Sequence, residues 1–290
     1  VLVGIGRLDI ANVTFCFCRI FQIILAVCLL VLGVGIWSLY FGYLAYYFVA
    51  GVAFFIILKY SYRINIFDPF AYKKQMMREI MSFSGMLTIS TIANILVVPF
   101  NKIIISRYVG LSEVAYYHIA YRLIDSIRGL FLKGLEAILP KFSELHSRAM
   151  GAVTPLLSLH RKGMLFLACS VLPLFLLIFI FANPIIKIWI GKDFHTQIAV
   201  ILKILLVGWF CNIMSVPDTY MFLGIGKVRY NVTAQSIKAT TNVIIIFAMI
   251  SLSMQFTLIK VATIDSICLV FAVIFLKYKY FEFRKLKLIS

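Results

Sequence analysis

Charged residues are scarce in this sequence, and acidic residues are the scarcest. Only 13% of the 290 residues are charged, with 11 Asp and Glu against 28 Lys and Arg. Soluble domains are about a quarter charged and about half apolar, whereas 63% of this chain is apolar. These proportions exclude a soluble globular domain and indicate an integral membrane protein.

Signatures of catalysis and of metal binding are also lacking. The sequence contains no H-E-x-x-H, no Walker loop and no G-x-S-x-G motif. Its four histidines are scattered, and its six cysteines lie in apolar runs, where they behave as small hydrophobic residues. We therefore expect no catalytic residues, no metal site and no cofactor. A membrane enzyme is the less favoured alternative, because the loops predicted on the outer face are short.

Eight apolar stretches are long enough to cross a bilayer, which takes about 20 helical residues. They lie at residues 15–37, 39–59, 81–104, 114–139, 163–185, 197–223, 232–252 and 256–276. Between the second and third, Asp68-Pro69 predicts the start of a basic amphipathic helix along the lipid headgroups. The predicted fold is an all-α integral membrane protein with about eight transmembrane helices.

The distribution of basic residues predicts an orientation. Seventeen of the 28 fall at the chain ends and in alternate loops, and three, Arg107, Lys187 and Lys192, fall in the opposite loops. Because positive charge is retained on the cytoplasmic side, we expect both ends of this chain to be cytoplasmic. The remaining eight basic residues lie within predicted spans and need another explanation.

Those eight basic residues are joined in the spans by four acidic ones. An ionised side chain at the centre of a span costs about 2.5–3.5 kcal/mol, so such residues pair or line a water-filled cavity. The fourth span is the richest: at about 100° per residue, four of its charges share an arc of about 80°. The arc holds Arg122, Asp125, Lys133 and Glu136, with Arg128 at its flank.

Two other interpretations of the fourth span are open. The helix could lie on the membrane surface, where its charges would meet water, but removing one crossing would place the C-terminal cations outside, against the positive-inside rule. Alternatively, the charges of the arc form i,i+3 ion pairs that neutralise each other. Arg128 competes with Arg122 for Asp125, which makes Arg128 the best candidate for an unpaired cation.

Two further spans carry a polar stripe along one face. Small polar residues on a span favour interhelical packing, but the lysines within these stripes favour a shared, water-filled interior. The stripe of the third span holds Ser84, Thr88, Thr91 and Lys102, with Asn94 and Asn101 adjoining it. The stripe of the seventh holds Asn231, Gln235, Lys238 and Asn242.

Three segments rich in apolar residues and glycine follow one another: NKIIISRYVGLSEVAYYHIAYRL (101–123), ANPIIKIWIGKDF (182–194) and ILLVGWF…MFLGIGKVRYNV (204–232). Their order and spacing, with Pro140 ending the segment after the first, resemble the polysaccharide (O-antigen) flippases of the MATE-like multidrug/oligosaccharidyl-lipid/polysaccharide exporter superfamily. Members have two bundles of about six helices that face each other across a central cavity. The resemblance implies that this chain corresponds to spans five to twelve and lacks about four N-terminal spans.

The same resemblance divides the chain into three parts. Residues 1–64 are two transmembrane helices, a remnant of the N-terminal bundle. Residues 65–80 are a cytoplasmic amphipathic linker helix, and residues 81–290 are the C-terminal six-helix bundle with its basic cytoplasmic tail.

The resemblance implies a flippase or exporter that moves a polyprenyl-diphosphate-linked oligosaccharide, an O-antigen or a capsule or exopolysaccharide repeat unit, by alternating access. Its location would be the cytoplasmic (inner) membrane of a bacterium. Membrane lipid, the anionic lipid-linked oligosaccharide and other polysaccharide assembly proteins are the expected partners, and nucleic acid is not. The alternatives are a drug or other small-molecule exporter of this superfamily, a membrane glycan polymerase, and an inactive fragment.

The expected site is a cationic cavity wall, because fixed cations in a wet cavity suit a diphosphate. The substrate-binding cations would be Arg122, Arg128, Lys133, Lys102 and Lys238. The acids Asp125 and Glu136 would carry a coupling proton or pair with the cations. The polar lining would be Asn94, Asn101, Asn231, Gln235 and Asn242.

Overall fold

The computed structural model describes residues 8–61, 74–148, 154–191 and 194–289. These residues are almost entirely helical and include no strand, which confirms the predicted all-α membrane fold. The helices are α1 (Leu8–Val31), α2 (Trp37–Ile56) with a short π-helical extension (Ile57–Ser61), α3 (Lys74–Tyr108), α4 (Leu111–Leu135), α5 (Ile138–Arg148), α6 (Thr154–Ile180), α7 (Ala182–Ile190), α8 (Thr196–Met214), α9 (Val216–Gly224), α10 (Val228–Ser251) and α11 (Leu258–Ile289).

Seven helical stretches in the described part of the chain are long and apolar enough to cross a membrane. They comprise α1, α2, α3, α6, α8 together with α9, α10 and α11. The predicted fourth span falls on α4, whose 25 residues make it about 38 Å long. Because of its charged residues, α4 is not among the seven apolar stretches. An eighth membrane crossing at α4 therefore stays a prediction.

The prediction that the fourth span, residues 114–139, is one continuous helix is wrong. α4 ends at Leu135, the chain turns over the next two residues, and α5 begins at Ile138. Pro140 was expected at the end of this segment, but it lies in the first turn of α5. Proline is tolerated there because a first-turn residue has no intrahelical carbonyl to which an N–H could donate.

The predicted linker helix, 65–80, and its start at Asp68-Pro69 fall largely outside the described residues. Residues 74–80 are described, and they form the first turns of α3. The basic segment there therefore continues into the third span without a break in the helix.

The chain divides into two compact units, Val1–Met77 and Arg78–Ser290. In the first unit, α1 and α2 pack as a helical hairpin. Gly33 and Gly35 adopt φ values of +84° and +64° in the connecting turn, a conformation that favours glycine. Ala26 and Gly42 bring the two helices together, since a Cβ added at Gly42 would lie 3.1 Å from the Ala26 Cβ.

In the second unit, α8 lies at the centre of the bundle. α4, α6, α7 and α11 all pack against it, and Ile201, Leu202 and Leu205 of α8 are fully buried. Gly208 allows α11 to approach closely, because a Cβ added there would lie 2.6 Å from the Cα of Ser266.

A smaller core closes one end of this unit. Phe142 of α5, Phe222 of α9 and Phe283 of α11 are buried together there. The predicted sixth span breaks near Ser215, and Pro217 lies in the first turn of α9. This end carries the basic residues that the positive-inside rule assigns to the cytoplasm.

Candidate functional site

A buried hydrogen-bonded chain links three helices of the second unit. Asn101 of α3 donates from Nδ2 to the Tyr117 hydroxyl of α4 at 3.4 Å, and that hydroxyl donates to Asp265 Oδ2 of α11, also at 3.4 Å. All three residues are fully buried. We call this chain, with Lys238 and Asn94 described next, the inner network.

Lys238 of α10 is a nearly fully buried cation, with only 2% of its surface exposed. Its Nζ donates to Asn94 Oδ1 at 3.2 Å and lies 5.3 Å from the centre of the Trp209 ring. Asp265 is close enough for Coulombic attraction, although these two described side chains do not form a direct ion pair. Lys238 is therefore held mainly by an amide and an aromatic face.

Arg128 of α4 approaches the same indole ring. Its guanidinium carbon lies 5.3 Å from the Trp209 ring centre, and its Nε donates to Asn212 Oδ1 at 3.3 Å. No carboxylate pairs with Arg128 among the described residues. Two cations from different helices thus share one tryptophan, an arrangement stabilised by cation–π attraction but opposed by their mutual repulsion.

Several buried polar atoms of this region have no hydrogen-bond partner within the described structure. They are Asn101 Oδ1, Asp265 Oδ1, Trp209 Nε1 and both amide atoms of Asn242. A buried polar group without a partner costs about 1–3 kcal/mol, so hydrophobic packing alone does not account for the inner network. These atoms could hydrogen-bond water or the hydroxyl groups of a ligand.

The charged arc of α4 points away from the core of the second unit. Arg122 is exposed, and Lys133 pairs with Glu136 at 2.9 Å with 76% of the lysine side chain exposed. One of the two expected i,i+3 pairs therefore forms, whereas Arg122 and Asp125 do not form an ion pair in the described part. Only Arg128, at the flank of the arc, turns towards α8.

Other predicted lining residues make contacts of their own. Lys102 Nζ is 3.0 Å from His118 Nδ1 in the N-terminal half of α4. Asn231 Nδ2 donates to the Thr219 carbonyl at 2.9 Å and so ties α10 to α9. Gln235 is half-buried on α10 between Asn231 and Lys238.

The aromatic residues of the site were missed in the sequence. Tyr121 stacks on Tyr117 with ring centres 6.2 Å apart and meets Trp209 edge-on at 5.6 Å. The sequence of α4 does carry a signal for this face, because at about 100° per residue an arc of about 60° holds four of its residues. They are Tyr117, Tyr121, Ile124 and Arg128. That face, and not the charged arc, is the one that packs against α8.

A second buried cluster lies near the basic end of the unit. Asp218 of α9 is fully buried; its Oδ2 forms an ion pair with Lys277 Nζ at 2.6 Å, and its Oδ1 lies 2.9 Å from His160 Nε2. The His160 ring stacks on Tyr280 with centres 4.2 Å apart. The structure shows that these residues fasten α6, α9 and α11 together.

Comparison with known proteins relates this geometry to a family. The sequence model of a family described as "Polysaccharide biosynthesis protein" matches residues 10–199. A protein named "Putative O-antigen transporter" from Shigella flexneri is 24% identical over 161 residues, which are 55% of this chain and 37% of that protein. This chain therefore spans little more than a third of that relative's length in the match.

A solved MATE structure in the bent conformation superimposes with a TM-score of 0.75 over 99% of this chain and 65% of that one, at 15% identity. At that identity the likeness concerns the fold alone. The sequence resemblance and the all-α membrane fold are thereby confirmed. The chain belongs to the family described as "Polysaccharide biosynthesis protein".

Proposed function

We propose that this chain forms part of a flippase for an anionic, lipid-linked oligosaccharide, with Arg128 and Lys238 as the cations that attract the cargo. The observation that carries the proposal is their convergence on Trp209, at 5.3 Å each, without a direct ion pair to any carboxylate in the described part of the chain. An anion placed near both would relieve their repulsion, and arginine is well suited to phosphate oxygens.

The side chains of both cations are held in place before any ligand arrives. Asn212 fixes the Arg128 guanidinium, and Asn94 fixes the Lys238 ammonium. Preorganised donors lose less conformational entropy on binding than flexible surface lysines do.

The proposed setting is the cytoplasmic membrane of a bacterium, with both ends of this chain at the cytoplasm. Alternating access would present the cavity first to the cytoplasmic and then to the outer leaflet. A drug exporter for organic cations is less well supported, because Arg128 and Lys238 both contact Trp209, whereas the acid of the inner network, Asp265, already accepts a hydrogen bond from Tyr117.

The test is polysaccharide display on cells that depend on the complete protein. We expect Arg128→Ala and Lys238→Ala each to reduce display at least about tenfold, because each removes a charge-assisted contact worth about 1.5–3 kcal/mol. Arg128→Lys should retain part of the activity. Lys203→Ala is the control, since Lys203 is half-buried in a span, as Arg128 is, but lies 5.4 Å over a different ring, Phe179. Normal display at normal protein levels in both alanine variants would overturn the proposal.

A further inference from the structure

Arg19 is a charged residue in the middle of the α1–α2 hairpin. It lies nine residues beyond Ile10, where a 22-residue apolar stretch long enough to cross the membrane begins, so it is about 14 Å from that end. From residue 10 to residue 58 the sequence holds no other charged residue, and between Asp9 and Asp68 it holds no acid. The hairpin therefore carries a cation near mid-depth and has no acid of its own to neutralise it.

Neutral groups hold the Arg19 guanidinium. Its Nη1 donates to Gln22 Oε1 at 2.5 Å, and its central carbon lies 5.3 Å from the Tyr43 ring centre and 5.8 Å from that of Tyr46. The amide and the two rings orient the cation without cancelling its charge. Arg19 is nevertheless exposed, and an ionised side chain at this depth is rarely found facing lipid.

The opposite side of the hairpin is the one that suits lipid. At about 100° per residue, three exposed apolar residues of α1 lie about 140–160° from Arg19, and three of α2 lie about 140–180° from Tyr43. They are Phe17, Phe21 and Ile24 on α1 and Phe41, Phe48 and Val52 on α2. Asn12, in contrast, is exposed only about 20° from Arg19. We therefore expect the side that carries Arg19, Asn12 and Tyr43 to face protein.

A groove on the Arg19 side has the dimensions of a helix contact. Its volume is about 510 Å³, and its lining on α1 extends from Arg19 to Leu30, which is about 16 Å or three helical turns. Ala26 and Ser38 also line it, and small residues of this kind let helix backbones approach closely. Most of its other lining is apolar, which suits a membrane helix better than a sugar or a hydrated headgroup.

We propose that the Arg19 side of the first unit binds a transmembrane helix that carries an aspartate or a glutamate near its middle. A carboxylate pairs with a guanidinium through two parallel charge-assisted hydrogen bonds, and such pairing is how ionised groups are accommodated within a membrane. A second copy of the hairpin does not supply this carboxylate, because residues 10–67 contain no acid. The inference goes beyond the proposed function, since it concerns a partner of the first unit and not the cargo.

Association with designed helices tests the proposal. The 290-residue chain, labelled with a donor fluorophore, is reconstituted in liposomes and titrated with acceptor-labelled leucine-rich transmembrane peptides that differ only in a central Glu, Gln or Leu. We expect the Glu peptide to bind about tenfold more tightly than the Leu peptide, with the Gln peptide between them, because a charge-assisted contact is stronger than a neutral one. Equal binding of the Glu and Leu peptides would overturn the proposal, and this comparison needs no variant of the chain.

Variants of the chain then locate the contact. Arg19→Leu should bind the three peptides equally, and Arg19→Lys should retain part of the preference for Glu. Lys203→Leu is the control, because Lys203 is also a cation within a span and lies 5.4 Å from the centre of one ring, Phe179. It should keep the full preference. A preference that persists in Arg19→Leu, or that Lys203→Leu loses equally, would mean that Arg19 does not hold the carboxylate and would overturn the inference.

Discussion

Two lysines of α11 offer a controlled measurement of what a buried ion pair contributes to this fold. Lys277 and Lys279 each place Nζ 2.6 Å from a carboxylate, and their side chains are similarly exposed, at 27% and 24%. The acids differ: Asp218 is fully buried between helices, whereas Glu282 is 42% exposed and lies on the same helix. The two ion pairs therefore differ mainly in whether the acid is buried.

We predict that Lys277→Met destabilises the protein and that Lys279→Met does not. Removing one partner of a buried pair leaves an uncompensated charge and costs about 3–5 kcal/mol. We expect the lower end, about 3 kcal/mol, because Lys277 is itself partly exposed and His160 still faces Asp218 at 2.9 Å. Methionine keeps the length and apolar stem of lysine, so packing changes little.

The assay is thermal unfolding of the purified protein in detergent. A loss of about 3 kcal/mol corresponds to a fall of about 6–12 °C in the midpoint for a chain of this size. Lys279→Met should leave the midpoint within error, since exposed pairs contribute little. The double variant Asp218→Asn/Lys277→Met should recover much of the loss, because no buried charge remains. Equal midpoints for the two single lysine variants would refute this reasoning.

Two further substitutions test the packing of the bundle and the inner network. Gly208→Ala should destabilise the protein by about 1–3 kcal/mol, because the new Cβ would lie 2.6 Å from the Cα of Ser266. Gly129→Ala meets no atom within 4 Å and should slightly raise the midpoint through helix propensity, so a fall in both would contradict the prediction. Tyr117→Phe should cost about 1–3 kcal/mol for each group that it leaves unpaired, while Tyr121→Phe, which loses no described hydrogen bond, should be near neutral by the same unfolding measurement.

The membrane fold was predictable because it depends on local properties. Length and apolar composition alone locate spans, and the seven apolar stretches of the structure coincide with seven of the eight predicted. The break after Leu135 was not predictable in this way, because a turn between α4 and α5 depends on how each helix packs against the rest of the bundle. Pro140 gave a signal there, but proline marks the start of a helix as readily as its end.

The site was only partly predictable, for a different physical reason. Helical periodicity tells which residues share a face, but it does not tell which face turns inward. The arc of Arg122, Asp125, Lys133 and Glu136 was found correctly as a shared face, yet it lies on the outside of the second unit. Helical periodicity does not predict contacts between distant parts of the chain, such as the ion pair of Asp218 with Lys277.

The contacts of each cation carry more information than its depth in the membrane. Lys277 lies opposite a buried carboxylate and fastens helices, and Lys133 pairs with an exposed one. Arg128 and Lys238 rest on an aromatic face and an amide, groups that hold a cation without cancelling its charge. Such cations remain available to an anion. The proposed binding place therefore follows from one rule: in a chain with so few acids, a cation held by neutral groups is where an anionic cargo is best stabilised.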